Sequence, residues 1–132
     1  MPEYELARQP IGEIGILMDS RQQQMQQWLT RALPQAAATL QWADLPTGEL
    51  APASADASFR RYFRWQAGER SLIIMDAPPA HENSEPFVRI TGLLQAAGVR
   101  VPRIFADDLE QGFLLLEDMG AQTYLQYLQQ GV

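Results

Sequence analysis

At 132 residues the chain is the length of one ordinary domain, and 46% apolar residues are enough to bury a core. A net charge of −6 argues against a sequence-independent nucleic-acid binder and against an anionic-membrane binder, both of which need a broad basic face. No cysteine and a single histidine argue against disulfides, thiolate chemistry and structural zinc.

Residues 1–18 read as a tail or a mis-assigned start: Pro10, Gly12 and Gly15 interrupt any period, and Met18 is a plausible first residue. MPEYELARQPIGEIGIL has neither the basic start nor the apolar block of a secretory signal, and no run is long enough to span a membrane, so the expected location is the cytoplasm. Ser20 with Gln23 matches a capping box, and Met25, Trp28, Leu29, Ala32 and Leu33 recur at helical spacing until Pro34. A first strand is expected within Leu40–Leu50, followed by a small, polar loop over Ala51–Ala57. Phe59–Trp65 alternates as a strand, with Arg61, Phe63 and Trp65 on one face and Arg60, Tyr62 and Arg64 on the other. After the turn at Ala67–Glu69, the run Leu72–Met75 reads as a buried strand.

Ser84 is placed to cap a second helix with an apolar stripe of Phe87, Ile90, Leu93, Leu94 and Ala97, stopped by Gly98. Val101–Phe105 and Phe113–Leu116 read as two more strands joined by a turn, and Thr123–Gln130 opens a further helix. Short connections imply a mainly antiparallel five-stranded sheet with one crossing helix and a flanking N-terminal helix, an α+β fold.

Four stretches carry a resemblance: Asp56–Arg64, Ile74–Pro79, Val99–Ile104 and Leu114–Gly120. In order and spacing they resemble the N-terminal lobe of the protein-kinase-like fold as found in aminoglycoside phosphotransferase-type small-molecule kinases. The likeness is greatest to the bacterial anomeric sugar kinases of cell-wall recycling, which act on N-acetylmuramate and N-acetylglucosamine. The resemblance implies a kinase-like lobe over residues 19–116, a hinge at 117–120 and the start of a C-terminal lobe at 121–132, with the rest of that lobe absent.

It further implies ATP and Mg2+ as cofactors and an amino sugar as phosphoryl acceptor. Ala55–Ser58 would form the turn over the nucleotide phosphates, with Ser58 and either Arg60 or Arg61 in contact. The plain alternative is that these arginines cover a sheet edge. Met75 or Asp76 stands near the position of the usual phosphate-binding lysine, and the Glu117 carbonyl and Met119 amide would meet adenine. This chain has no lysine, all ten of its basic residues being arginine; Arg64 and Arg89 are candidate substitutes.

Glu82 and Glu85 stand near the helix start, where acids suit the helix dipole, and His81 reads as a solvated loop residue. No catalytic residue and no metal ligand is expected here, because the family's His-Gly-Asp motif and metal-binding acids belong to the absent lobe. The chain alone is therefore expected to be inactive and to associate through an exposed lobe interface. A non-catalytic protein-interaction module is the alternative reading.

Overall fold

The computed structural model describes residues 12–55 and 59–120. The expected helix over Thr123–Gln130 and the turn residues Asp56, Ala57 and Ser58 fall outside the described residues. The elements are α1 (Gly12–Leu40), β1 (Glu49–Ala55), β2 (Arg61–Ala67), β3 (Arg70–Asp76), α2 (Glu85–Ala96), β4 (Ile104–Asp108) and β5 (Phe113–Glu117). Two compact units are distinguished, residues 1–31 and residues 32–132.

In the first unit the helix begins at Gly12, not at Ser20, so the expected capping box is replaced by continuous helix. Met25, Trp28 and Leu29 are buried along it, at the spacing that puts them on one face, and Ala32, Ala36 and Ala37 are buried further on. Pro34 was expected to stop the helix but lies inside it, giving up one backbone hydrogen bond. The stop comes at Gln41. Its N–H donates to the Ala38 carbonyl at 3.2 Å and the Trp42 N–H to the Ala37 carbonyl at 2.9 Å. Gln41 takes φ +60°. These are the two bonds of a Schellman closure, with glutamine in the place usually held by glycine.

The five strands of the second unit form one sheet in the order β1-β2-β3-β5-β4, every neighbouring pair antiparallel. This is the α+β kinase-lobe architecture that the sequence implies. The first strand lies later than expected. Leu40–Leu50 supplies only its start, and the small-residue run Glu49–Ala55 is the strand itself. Pro52 is tolerated because β1 is an edge strand with a register shift between Pro52 and Ser54. Trp42 instead stacks on Trp65 of β2, ring centroids 5.9 Å apart. Gly48 lies so close to the Trp65 ring that a β-carbon there would collide with it. The strand expected at Val101–Phe105 begins at Ile104, with Val101 buried just before it.

Helix α2 packs on one face of the sheet, here the inner face. Phe87 and Val88 lie against a core of Tyr62, Ile73, Met75, Ala77, Leu114 and Leu116. Thr91 is its buried residue, while Ile90 and Leu93 of the expected stripe are exposed, Leu93 by 62%. The start of α2 is served by Asn83, whose side-chain oxygen accepts from the Glu85 N–H at 3.1 Å; the Ser84 hydroxyl makes no cap. Gly98, at φ +87°, closes α2 as expected, its N–H donating to Gln95 and that of Val99 to Leu94. The outer face carries Phe63, Trp65, Leu72, Ile74, Phe113 and Leu115, all buried.

Candidate functional site: the inner face of the sheet and the segment after β5

Alternation along β2 sends successive arginines to opposite faces. Arg61 turns outward. Its Nη2 and Nε reach one oxygen of Asp76 at 2.6 and 3.2 Å, across the β2–β3 pair. The Asp76 side chain is 1% exposed and the Arg61 side chain 23%. The same guanidinium lies 5.3 Å over the outer-face ring of Phe63. Arg61 thus stands on the other side of the sheet from Met75 and Met119.

Arg60 turns inward. Its guanidinium lies 5.9 Å over Phe87 of α2, and its Nε meets Glu82 Oε1 at 3.3 Å. Glu82 also accepts from the Phe59 N–H at 3.5 Å, and the Phe59 ring stacks on His81 with centroids 4.0 Å apart. The segment before α2 is thereby fastened to the end of the β1–β2 turn. His81, read from sequence as a solvated loop residue, is exposed as expected but also carries this stack. Ser58 lies outside the described residues.

Met75 is fully buried on the inner face, so no cation projects from β3 there. Met119 packs, partly buried, against the same cluster. Glu117 ends β5. Its backbone N–H donates to the Arg103 carbonyl at 2.8 Å, and its carboxylate accepts from Arg100 at 3.1 Å and from the Arg103 N–H at 3.1 Å. Arg60, Met75 and Met119 therefore share one face and Arg61 the other, while the Glu117 side chain is occupied by the approach to β4.

Asp118 is the residue that sequence reasoning missed. Arg64 donates to both of its oxygens, Nε to Oδ2 at 2.8 Å and Nη2 to Oδ1 at 3.3 Å. The Ser71 hydroxyl donates at 2.7 Å and the Gly120 N–H at 3.0 Å. Burial opposes the charge on Asp118, but the hydrogen bonds from Arg64, Ser71 and Gly120 and the attraction of Arg64 outweigh it. The carboxyl is held below its ordinary value. The bond to Asp118 likewise raises Arg64 against the effect of its own burial. No local sequence signal marks this, since Arg64 and Asp118 are 54 residues apart.

A cleft of about 520 Å³ opens on the inner side of β1 and β2, lined by Thr47, Glu49, Ala51, Pro52, Arg64 and Gln66. Arg89, the other candidate cation, pairs with Glu85 on an exposed part of α2. Among the described residues no group of three His, Asp or Glu is placed to hold a metal ion, and no helix is long and apolar enough to cross a membrane. The site therefore offers cationic and apolar contacts to a ligand.

The chain is 58% identical over 113 residues to an N-acetylmuramate/N-acetylglucosamine kinase of Pseudomonas aeruginosa, covering 86% of this chain and 33% of that protein. It is 55% identical over 107 residues to the protein of the same name in Pseudomonas putida, covering 81% of this chain and 32% of the relative. The Neisseria meningitidis protein so named is 33% identical over 106 residues, 80% of this chain and 28% of the relative. The chain thus spans about a third of the length of the curated relatives it matches. No solved structure matches it. Residues 49–131, from the first strand through the segment after β5, match the phosphotransferase enzyme family (APH), and the chain belongs to that family.

Proposed function

We propose that this chain is the nucleotide-binding lobe of an ATP-dependent sugar kinase, acting in the cytoplasm in cell-wall recycling. The full-length protein transfers the γ-phosphoryl group to an amino-sugar hydroxyl, the anomeric hydroxyl of N-acetylmuramate or N-acetylglucosamine. The observation that carries this reading is the 58% identity over 113 residues to a kinase named for those two sugars.

The chain's own residues bind and orient the nucleotide in this reading. The turn at residues 55–58, with Ser58, covers the phosphates. The Glu117 carbonyl and Met119 amide take the adenine edge, and the Met119 side chain supplies a polarizable contact to the ring. The apolar surface around Met75 excludes water from the phosphates. Mg2+, when bound, would supply neutralisation of the charge developing on the phosphates; acids of the full-length protein beyond the described residues would hold it. The acceptor sugar meets the same larger protein, and the chain by itself transfers no phosphate.

Incubating the full-length protein with labelled ATP, magnesium and each amino sugar tests this. Label is expected on N-acetylmuramate and N-acetylglucosamine. If label reaches neither sugar while the protein binds ATP, the sugar-kinase reading fails and an interaction module with a kinase-like lobe takes its place.

A further inference from the structure

The side chains of Glu117, Asp118 and Met119 are each tied to a different part of the sheet. The Glu117 carboxylate accepts from Arg100 and from the Arg103 N–H, on the β4 side of β5. The Asp118 carboxylate reaches the other way. It accepts from Ser71 of β3 and from Arg64, the middle residue of β2. The Met119 side chain packs on the inner-face core. With both carboxylates engaged, the polar groups this segment can offer a ligand are those of its backbone.

Asp118 is the most firmly held of the three. Its side chain is 8% exposed. Arg64 Nε and the Ser71 hydroxyl converge on Oδ2, and Arg64 Nη2 and the Gly120 N–H on Oδ1. A two-pronged guanidinium bond fixes orientation as well as distance. Withdrawing such a pair from water costs much of what its attraction returns. What four directed bonds do supply is a backbone with one position.

We infer that Arg64 and Ser71, acting through Asp118, are positioning residues that set which nucleobase is accepted, by holding the Glu117 carbonyl and the Met119 N–H in register with the edge of adenine. This inference rests on the adenine-binding reading above. Adenine presents an N6–H donor beside the N1 acceptor, which a carbonyl and an N–H complement. Guanine presents the reverse, an O6 acceptor beside an N1–H donor. A braced segment cannot turn to relieve that mismatch, whereas a loosened one can.

The test uses the full-length protein with Asp118→Asn, Ser71→Ala and Ser71→Thr. Each is titrated with MgATP, MgGTP, adenosine and magnesium tripolyphosphate, which has no base. Wild-type protein is expected to prefer ATP over GTP by about 100-fold or more, since guanine leaves polar groups unpaired. Asp118→Asn puts an amide NH2 where one oxygen accepts two of the bonds. It is expected to weaken ATP and adenosine alike by about 10-fold, to cut the ATP preference by a similar factor, and to leave tripolyphosphate binding unchanged. Ser71→Ala is expected to do the same by about 3-fold, and Ser71→Thr, which keeps the hydroxyl, to restore wild-type values. Arg64 also lines the cleft on β1 and β2 while Ser71 does not, so the Ser71 variants separate bracing from direct contact. Equal weakening of ATP, GTP and tripolyphosphate is what a loss of folded protein produces, and it overturns the inference. An unchanged ATP preference in Asp118→Asn does so too. Should Asp118→Asn not fold, Ser71→Ala decides by the same ratio. Wild-type protein that binds ATP and GTP equally removes only this inference; wild-type protein that binds neither ATP nor adenosine removes the nucleotide-binding reading with it.

Discussion

Arg60 and Arg61 are neighbours in sequence with opposite surroundings, and the difference is set by strand alternation. Arg61 neutralises a carboxylate that is almost fully buried. Removing one partner of such a buried pair costs about 3–5 kcal/mol. Arg61→Ala is therefore expected to lower unfolding stability by that amount in urea titrations. A change below about 1 kcal/mol would mean that Asp76 is not held as a charge by Arg61. Asp118 gives a pH signature. Its folded value is depressed, so its stabilising contribution is complete above the ordinary aspartate value of about 4 and is lost as pH falls below it, through the folded value. Wild-type stability is expected to decline in that window. Asp118→Asn is expected to lose about 1–3 kcal/mol at neutral pH and to show a shallower acid decline.

Helix α1 ends with Gln41 at φ +60°, and α2 with Gly98 at φ +87°. A β-carbon in the left-handed region costs about 1–2 kcal/mol, a cost glycine escapes. Gln41→Gly is expected to raise stability by about 1 kcal/mol, read as a higher thermal midpoint; no rise would show that the turn is held by contacts of the glutamine side chain. At Gly48 the opposite holds, because the Trp65 ring occupies the space of a β-carbon. Gly48→Ala is expected to destabilise by about 1–3 kcal/mol. These element ends also show what the sequence could and could not disclose. Gly98 was legible because glycine is the usual residue there. Gln41 was not, since nothing in a glutamine announces a left-handed turn. The strand over Glu49–Ala55 was taken for a loop because its residues are small, and its pairing with β2 comes from the sheet and not from its own propensity. The central strands were legible from their continuous apolar runs, and the alternation of β2 was read correctly.

At the scale of the whole sheet, the antiparallel pairing of strands joined by short turns and the crossing helix were visible in the sequence, while the place of β5 beside β3 was not. The contacts that organise the candidate site were not. Arg64–Asp118, Ser71–Asp118 and Arg60–Glu82 join residues far apart in the chain, and no local pattern encodes them. With about a third of the relatives' length present, the 132-residue chain is expected to yield no sugar phosphate when incubated with ATP, magnesium and either amino sugar, assayed by chromatography of labelled products. Turnover by the chain alone would show that it carries a complete catalytic set. The bonds of Asp118 also have a mechanical meaning. They lock that residue to β2 and β3, so it must travel with the sheet as one rigid piece. Gly120, at φ +89°, is carried along, because its N–H donates to Asp118 Oδ1 at 3.0 Å.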